Sequence, residues 1–540
     1  MKEILQFINK HIAMSKKTIF VHAVIAGISY AFILKTVNGA IGGEEISSDP
    51  RHFLMLFLLI VLHIHSKKMY MIKTSVVAGE LSRKVRMDIL GKIRFTELRF
   101  LENIGKGEIY NRLTEDTGVL FRTIPSLVMS VEGIVSFISI FVYMMFISLS
   151  GAVLMILLMA VTVFFYSLAS IPVKKKMGLA KQKEAELIDR LNDVLTGFKE
   201  IKINRAKNED LYRDYKALAR EVQVLKSDAI KTLNDTFLLV NASFLCLIGV
   251  IVFLLPLVDV IDNDHVVGLA SSLLFLWGPM MMGISIMPQY FLVSVSMTNI
   301  DKLNQLIDDF ERHIPEETPE APEFQTIALE SISFKYPGKN GDVLFQLGPV
   351  DFSVKKGEVV YIVGGNGSGK STLMKLLTGL YYPDEGILTI DGRQVSHTEF
   401  TTYRELFSTV FTDFYIFKKL YGLDDIDAGK VNGLLDTMGL GKKTSYTDNR
   451  FTNTTLSTGQ RKRLAYLAGL LEDKDIYVFD EWAADQDPEF RKRFYTTFIN
   501  DMRAMGKTVI AVSHDDRYFD TADRVIKMAE GKIVPFALPG

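Results

Sequence analysis

Long uncharged segments recur through the N-terminal half of the chain. Thr18–Leu34 carries no charged residue, and Val37–Ile41 extends this segment beyond Lys35, whose long side chain can reach a bilayer interface. Phe53–Ser66 is a shorter apolar run with basic residues at both ends, which can also reach the interfaces. These two segments predict the first two membrane-spanning helices.

The next apolar segments are long enough to complete a helical membrane domain. Gly133–Val173 contains 41 residues without a charge. At about 1.5 Å per residue this is roughly 60 Å of helix, twice the thickness of a bilayer core, so a hairpin of two spans is predicted. Ser148–Gly151 supplies the turn. Thr236–Val258 predicts a fifth span and Val266–Ile300 contains a sixth, in which two prolines favour kinks.

The charges between the spans predict the orientation. The basic positions are Lys67, Lys68, Lys73 and Lys174–Lys176, and the acidic positions are Glu44, Glu45, Asp49, Asp259, Asp262 and Asp264. Because basic loops face the cytoplasm, the C-terminal half is expected there after six passes. Residues 1–17 predict an amphipathic helix on the membrane surface. A cleaved signal peptide is the alternative, but it would leave five spans and place the C-terminal half outside.

A glycine-rich loop organises the C-terminal half. The apolar strand Val359–Val363 leads into Gly364–Ser371, which has the pattern G-x-x-x-x-G-K-S, and a helix begins at Thr372. In this context backbone N–H groups converge on phosphate oxygens, and the helix N-terminus adds partial positive charge. The residues predicted to bind the nucleotide here are Gly364, Asn366, Gly367, Ser368, Gly369, Lys370, Ser371 and Thr372. Lys370 would reach the terminal phosphates, and the Ser371 hydroxyl would hold Mg²⁺.

Two further strand ends carry residues suited to ATP hydrolysis. Ile476–Glu481 is an apolar strand ending in two carboxylates, with Asp480 directed to Mg²⁺ and Glu481 as general base for the attacking water. Ala511–His514 ends another apolar run, and His514 is a candidate contact for the γ-phosphate. A single histidine is weak evidence for a catalytic site. His514, however, follows the other ATPase motifs in the sequence, and this position predicts a catalytic role.

Composition excludes several other classes of protein. The 540 residues are 48% hydrophobic, and their mean hydropathy of +0.18 is high for a soluble chain. The formal net charge of −1 and the lack of a recognisable module argue against a nucleic-acid partner. The single Cys246 excludes an intrachain disulfide and a cysteine zinc cluster. His63 and His65 are not predicted to bind metal, because residues two apart on a helix do not share a face.

Leu456–Arg463 resembles the signature sequence of ATP-binding-cassette proteins, with Thr458 where a second glycine is more usual. The resemblance implies that the signature residues Ser457, Thr458, Gly459 and Gln460 bind ATP. Tyr336 resembles the aromatic residue that stacks on adenine in these ATPases, and Asp487, in the loop after the general base, joins the predicted nucleotide contacts. Tyr336 would also suit an ordinary structural position at a strand end.

Over the whole chain the sequence is similar to an exporter-type half-transporter. The resemblance implies an α-helical six-span transmembrane domain of residues 1–307, an acidic linker of residues 308–324, and an α/β P-loop ATPase domain of residues 325–540. It also implies a homodimer, since ATP in this family lies between the P-loop of one cassette and the signature of another. Gly107–Thr114 and Gly197–Lys202 resemble the intracellular loops that contact the ATPase, with Ala206–Tyr212 the favoured second contact helix. A solvated helical face is the alternative.

Three other stretches narrow the resemblance to bacterial exporters of cyclic peptides and siderophore peptides, the pyoverdine, syringomycin and microcin group. These stretches are Val410–Asp413, Asp480–Pro488 and Ser513–Phe519, taken together with Val363–Lys370 of the phosphate-binding loop. Thr412 stands where most cassettes carry a glutamine, and it is a candidate Mg²⁺ contact. Membrane lipid surrounds the chain, and periplasmic or outer-membrane export partners are possible. The implied location is the bacterial inner membrane.

The cargo is less well defined by sequence. Glu132, near the start of the third span, is a candidate contact for a cationic group of the cargo, because a carboxylate in lipid is costly. A lipid or multidrug exporter is the same-class alternative, since only cavity residues would differ. An ATP-gated membrane regulator is a further alternative, disfavoured by the intact Glu481 and His514.

Overall fold

The computed structural model describes residues 16–41, 50–257, 263–308, 321–337, 342–423 and 426–536. The chain divides into two compact units. The membrane unit comprises residues 1–87 and 111–301, and the ATPase unit comprises residues 88–110 and 302–540. Most of the amphipathic helix predicted for residues 1–17 and most of the predicted linker lie outside the described residues, and the predicted domain bounds stay a prediction.

Helices account for nearly all of the described residues before the ATPase strands. They are α1 (Lys16–Ile41), α2 (Pro50–Ile93), α3 (Leu98–Ile104), α4 (Lys106–Asn111), α5 (Thr117–Ile147), α6 (Leu149–Thr196), α7 (Phe198–Ile203), α8 (Arg205–Gly249) and α9 (Asn263–Asp308). Within the described residues, five helical segments are long and apolar enough to cross a membrane: 17–41, 50–93, 106–147, 205–257 and 265–283. The predicted fourth span falls on the first half of α6. The predicted helical membrane domain is confirmed.

The connection between α5 and α6 is a single residue. Ser148 has an extended backbone, and its Oγ accepts a hydrogen bond from the Gly151 N–H at 3.2 Å, which caps the start of α6. This break lies at the first residue of the turn predicted at Ser148–Gly151. The cap satisfies one of the N–H groups that a helix start leaves without an intrahelical partner.

Helices α1 and α5 approach each other closely through small residues. A side-chain carbon added at Gly27 would lie 2.7 Å from Cγ1 of Val135, so only glycine fits there. Ala23 and Ala26, on the same helix, are fully buried. Small residues at helix contacts allow the close backbone approach that stabilises helix pairs in membranes.

The ATPase unit contains two main sheets. Its strands are β1 (Thr326–Pro337), β2 (Val343–Lys355), β3 (Val359–Gly364), β4 (Glu385–Ile390), β5 (Arg393–Gln394), β6 (Phe407–Val410), β7 (Tyr446–Thr447), β8 (Arg450–Phe451), β9 (Ile476–Asp480), β10 (Thr508–Val512), β11 (Arg524–Ala529) and β12 (Lys532–Val534). One sheet has the order β2-β1-β4-β5 and is antiparallel. The other has the order β12-β11-β3-β10-β9-β6 and is parallel except for β12.

The central strands of the second sheet are buried on both faces, which explains their continuous apolar sequences. Every residue of β9 and β10 is buried. The helices of this unit are α10 (Lys370–Leu377), α11 (Phe400–Arg404), α12 (Ala428–Thr437), α13 (Thr458–Glu472), α14 (Pro488–Arg493) and α15 (Ile499–Ala504). Strands that alternate with covering helices confirm the predicted α/β P-loop class.

Helix α3 belongs to the ATPase unit although it precedes most of the membrane helices in the sequence. Its Glu102 carboxylate accepts hydrogen bonds from Lys375 Nζ at 2.9 Å and from the Tyr381 hydroxyl. Arg99 pairs with Asp384 at 3.3 Å. These contacts fix a short helix that has too few turns to be stable alone.

The predicted loop contacts stay a prediction, and the structure adds a segment that sequence did not single out. The segment that packs on the ATPase strands is Leu98–Ile104, which precedes the predicted Gly107–Thr114. Ala206–Tyr212 forms the first turns of the 45-residue α8, and its contact with an ATPase stays a prediction. The short separate helix in this region is α7, which contains no buried residue.

The α3 contact should contribute measurably to the stability of the ATPase unit. We expect Glu102→Gln to lower stability by about 1 kcal/mol, because it removes a charged partner from Lys375 and Tyr381. This corresponds to a fall of roughly 2–4 °C in the thermal midpoint for a unit of this size. Glu385→Gln, which removes an exposed pair with Lys335 at 3.6 Å, is the matched control. Equal midpoints for the two variants would contradict the prediction.

Candidate active site

Four sequence motifs meet at one edge of the parallel sheet. The strands β3, β10, β9 and β6 are consecutive neighbours and run in the same direction. Their carboxyl ends lead into Gly364–Ser371, Ser513–His514, Asp480–Glu481 and Thr412, respectively. Ligands of open α/β sheets bind at this edge, so the topology brings the separately predicted residues to one place.

Glycines shape the phosphate-binding loop at the points where backbones come closest. A side-chain carbon at Gly364 would lie 2.3 Å from the carbonyl oxygen of Met528. Gly367 and Gly369 have positive φ angles of 76° and 99°, which glycine adopts without strain. Gly369 precedes the first turn of α10, so the loop delivers the chain directly to a helix N-terminus.

Lys370 is held inside this loop. Only 6% of its side chain is exposed, and its Nζ donates to the carbonyl oxygens of Gly364 at 3.1 Å and Gly365 at 3.0 Å. The Oγ of Ser368 is buried and has no hydrogen-bond partner among the described residues. Asn366 is exposed at the loop surface. An ammonium and a free hydroxyl at the same loop suit an anionic ligand.

Asp480 is the buried carboxylate of the site. Its Oδ2 accepts hydrogen bonds from Ser371 Oγ at 2.8 Å and from Thr412 Oγ1 at 3.3 Å. Its Oδ1 is buried without a hydrogen-bond partner in the described part of the chain. Burial raises the pKa of the Asp480 carboxyl, and the Ser371 hydrogen bond opposes this shift.

This arrangement fits a magnesium ion. Mg²⁺ prefers carboxylate and hydroxyl oxygens with several retained waters, and the unpartnered Oδ1 of Asp480 is such a ligand beside the Ser371 hydroxyl. Thr412 contacts Asp480 through its own hydroxyl. Its predicted direct contact with the metal therefore stays a prediction, and the contact with Asp480 offers an indirect route.

Glu481 and His514 face each other beyond the end of β9. The Glu481 Oε1 lies 3.1 Å from His514 Nε2 and 3.9 Å from Lys370 Nζ. Both side chains line a cavity of 320 Å³ together with Arg491, Ser513 and Asp515. A carboxylate oriented by an imidazole next to an open cavity has the geometry of a general base with access to water.

Tyr336 lies at the end of β1 beside the phosphate-binding helix. Its hydroxyl is 3.3 Å from Thr372 Oγ1 and donates to the Tyr381 hydroxyl at 3.3 Å. Phe345 is a tilted aromatic neighbour at 6.2 Å between ring centroids. The phenol is therefore fixed near the loop, and stacking of its ring on adenine stays a prediction.

The signature residues begin helix α13. Ser457 caps the helix, and its backbone N–H donates to the Gln460 side chain at 3.3 Å in a capping box. Thr458 is the first helical residue. Among the described residues, none of the hydrogen bonds or ion pairs made by Ser457–Gln460 reaches Gly364–Ser371 of the same chain.

Asp487 is engaged within its own chain. Its Oδ1 accepts a hydrogen bond from the Phe490 N–H at 3.0 Å, and its Oδ2 pairs with Arg463. The Phe490 N–H, followed by Arg463, holds the pKa of the Asp487 carboxyl below its ordinary value. A contact of Asp487 with nucleotide stays a prediction.

Sequence reasoning missed Lys462, which the structure places directly behind the predicted base. This lysine is 2% exposed, and its Nζ donates to the backbone carbonyl of Glu481 at 2.6 Å and pairs with Asp485 at 2.7 Å. It stands between Arg461 and Arg463, and a basic run on a helix is usually a solvated face. Its partners, the Glu481 carbonyl and the Asp485 carboxylate, lie in a loop that follows the next strand, so no local signal identified it.

In the membrane unit, Glu132 already has partners. It is 3% exposed, it accepts a hydrogen bond from Lys67 Nζ at 3.1 Å, and it bonds the Tyr70 hydroxyl. Pairing and hydrogen bonding lower the cost of a carboxylate in this environment. The predicted contact with cargo would have to displace these groups. The described residues contain no group of three or more potential metal ligands, His63 and His65 included.

Comparison with known families matches both halves of the chain. A model described as ABC transporter transmembrane region matches residues 18–280, and a model described as ABC transporter matches residues 347–484. The ATP-binding protein SyrD of Pseudomonas syringae pv. syringae is 31% identical over 528 residues, which cover 94% of this chain and 92% of the relative. The macrolide export ATP-binding/permease protein MacB 1/2 of Paracoccus denitrificans is 29% identical, but only over 38% of this chain and 33% of the relative.

Among solved structures, a bacterial Atm1-family ABC exporter with ATP bound has a similar fold. Its TM-score is 0.77, and the match covers 96% of this chain and 93% of that chain. At 18% sequence identity, this similarity concerns the fold alone.

Proposed function

Since this chain belongs to the family of ATP-binding-cassette exporters and couples ATP hydrolysis to transport, we propose that it exports a cyclic or otherwise modified peptide across the bacterial cytoplasmic membrane. The observation that carries this proposal is the similarity to SyrD over 94% of the chain. The resemblance of four stretches to peptide exporters supports the same cargo class; they are Val363–Lys370, Val410–Asp413, Asp480–Pro488 and Ser513–Phe519.

The working unit of the proposal is a homodimer. Each chain carries one P-loop and one signature, and none of the hydrogen bonds that the signature residues make among the described residues reaches the P-loop. Two copies would form two composite sites, in which Gly364–Ser371 of one chain and Ser457–Gln460 of the other enclose one ATP. This arrangement makes ATP binding depend on the approach of the two ATPase units.

Within each composite site, different residues of the chain have different roles in ATP binding and hydrolysis. Lys370 would offset the charge of the terminal phosphates, the loop N–H groups would donate hydrogen bonds to them, and Ser371 and Asp480 would hold the metal. Mg²⁺, when bound, offsets phosphate charge and orients the transferred group. Glu481 accepts the proton of the attacking water, and His514 orients the Glu481 carboxylate.

Closure of the two ATPase units would change the membrane cavity from inward-facing to outward-facing, and hydrolysis would reset it. Each α3 is fixed to its own ATPase unit by Glu102 and Arg99, so movement of that unit is transmitted to the chain that continues into the membrane helices. The basic loops would place the ATPase on the cytoplasmic side of the inner membrane.

The proposal predicts cargo-stimulated hydrolysis. We expect candidate cyclic peptides to raise the steady-state ATPase rate of the purified protein in lipid nanodiscs, because cargo that favours closure speeds the rate-limiting motion. Phosphate release is the readout, and the Glu481→Gln variant supplies the blank.

Each other outcome of this measurement points to a different function. Activity that lipids or hydrophobic drugs raise, and that no peptide changes, would replace the peptide proposal by a lipid or multidrug exporter. Turnover no greater than that of Glu481→Gln would contradict both and favour the ATP-gated regulator. Cross-linking or mass measurement in the same nanodiscs tests the homodimer, and a monomeric active species would contradict it.

A further inference from the structure

The backbone of Glu481 has an unusual conformation. Its φ angle is +52° and its ψ angle is +35°, in the left-handed region that non-glycine residues rarely adopt. This conformation turns the chain directly after the buried strand β9 and aims the Glu481 carboxylate at His514. Strained backbone positions of this kind persist only where surrounding contacts hold them.

The contact that holds this position comes from Lys462 on α13. Its Nζ lies 2.6 Å from the carbonyl oxygen of Glu481, and its charge is compensated by Asp485 at 2.7 Å. The lysine side chain is 2% exposed, whereas Asp485 is 47% exposed. A charged hydrogen bond to a carbonyl in such a buried place is stronger than one in water.

Three further contacts join the start of α13 to the loop that follows Glu481. The Trp482 indole N–H donates to the carbonyl oxygen of Lys462 at 2.8 Å. The Gln486 side-chain amide donates to the carbonyl oxygen of Gly459 at 3.0 Å. A side-chain carbon at Gly459 would lie 2.5 Å from the Asp485 carbonyl oxygen, so the two segments are in direct backbone contact.

We propose that Lys462 is a positioning residue for hydrolysis, which holds the backbone of Glu481 in its left-handed conformation and ties the base to the helix that carries the signature. Since α13 would clamp the partner's ATP while Glu481 acts on its own chain's ATP, the Lys462 contact links the two composite sites. The inference rests on the proposed base role of Glu481 and on the homodimer.

A purely structural role would give a different pattern. If Lys462 only stabilised the ATPase unit, its loss would lower the thermal midpoint and the amount of active protein, and the surviving molecules would turn over normally. If it positions the base, its loss lowers kcat in folded protein while ATP binding is retained. The ratio of kcat to KM and a direct binding measurement separate these two roles.

Two substitutions of similar side-chain length test the hydrogen bond. Lys462→Met removes every donor, whereas Lys462→Gln keeps an uncharged N–H donor on a side chain that is one atom shorter than lysine. In the full-length protein in nanodiscs we expect Lys462→Met to lower kcat about 10- to 100-fold, as for misplacement of a catalytic group by a fraction of an ångström to 1 Å. We expect the KM for ATP and the affinity for a fluorescent ATP analogue to change little. Lys462→Gln should recover most of the lost kcat.

Lys507→Met is the matched control. Lys507 pairs with Asp473 at 2.8 Å and approaches the carbonyl oxygen of that same residue at 3.4 Å, and Asp473 also has a left-handed backbone, with φ of +50°. This lysine is thus bonded in the same manner at a site away from the motifs. We expect its removal to leave kcat unchanged.

The outcomes separate this inference from the function on which it rests. Normal turnover in Glu481→Gln would remove the proposed base and the inference with it. If Glu481→Gln is inactive while Lys462→Met keeps kcat within about twofold of the unmodified protein, well below the expected loss, the inference alone is wrong. Equal losses in Lys462→Met and Lys462→Gln would also overturn it. If Lys462→Met does not fold, a Lys462→Gln variant that binds ATP but loses more than about tenfold in kcat contradicts it.

Discussion

Replacing Glu481 by glutamine is expected to reduce the steady-state ATPase rate by about 10²–10⁴-fold, the usual contribution of a general base. Glutamine keeps the length of the side chain and the hydrogen bond with His514, which lies 3.1 Å from Glu481. It cannot accept the proton of the attacking water. ATP binding should persist, because the phosphate contacts come from Gly364–Ser371. Phosphate release at saturating ATP and Mg²⁺, measured beside nucleotide affinity, checks both parts.

A nearby carboxylate provides the control for this prediction. Glu489 is exposed in the first turn of α14, and it does not belong to the lining of the cavity that Glu481 lines. Glu489→Gln should retain the full rate. A Glu481→Gln variant that keeps more than about a tenth of the activity would assign the base to another group, since a general base contributes at least about a hundredfold.

Replacing Asp480 by asparagine is expected to have two opposite effects. Hydrolysis that depends on Mg²⁺ should be lost, because a metal ligand loses its charge. The nucleotide-free protein should become more stable by about 1 kcal/mol, since a buried carboxylate with an unpartnered oxygen is replaced by a neutral group. The thermal midpoint should rise by roughly 2–4 °C.

The stability that Asp480→Asn gains should depend on pH, because the pKa of the Asp480 carboxyl is raised in the folded protein. The folded protein binds the proton of the Asp480 carboxyl more tightly than the unfolded chain does. Protonation of Asp480 therefore stabilises the folded protein below the unfolded pKa of about 3.9, and this stabilisation is lost as the pH rises through the higher folded pKa. The advantage of Asp480→Asn should therefore be largest at neutral pH and shrink on acidification. A variant that is less stable than the unmodified protein at every pH would contradict the prediction.

Addition of ATP and Mg²⁺ should reverse the order of stability. A ligand that binds only the folded state stabilises it, and the unmodified protein has the intact metal site. The midpoint of the unmodified protein should rise more than that of Asp480→Asn. Equal shifts of the two midpoints would place the metal elsewhere. The control is Asp436→Asn, because Asp436 lies on the exposed side of α12 and has no predicted ligand role.

The parts of the molecule that sequence predicted are those encoded by local patterns. Uncharged runs such as Gly133–Val173 are long enough to require membrane helices, whatever they contact. The phosphate-binding loop was recognisable because strand, glycines and helix follow one another directly. Asp480 and His514 end apolar strands, and neighbouring parallel strands bring their carboxyl ends together.

The parts that sequence did not predict depend on contacts between distant residues. Nothing near Leu98–Ile104 distinguishes it from the following segment, and its polar partners, Lys375, Tyr381 and Asp384, lie more than 270 positions later. The buried Lys462 has its partners, the Glu481 carbonyl and the Asp485 carboxylate, beyond the next strand. Glu132 was a candidate contact for a cationic group of the cargo, which stays a prediction, and its partners in the structure, Lys67 and Tyr70, lie on another helix.

The two middle positions of the signature differ in how much change they can accept. At Gly459 any side chain would collide with the Asp485 carbonyl oxygen at 2.5 Å, which is backbone and cannot swing aside. Thr458 is exposed at the first turn of α13 and meets no such barrier. A residue other than glycine can therefore occupy position 458, and α13 still begins at that residue. A sequence search that demands both glycines would discard functional cassettes of this kind, whereas one that weights the second would keep them.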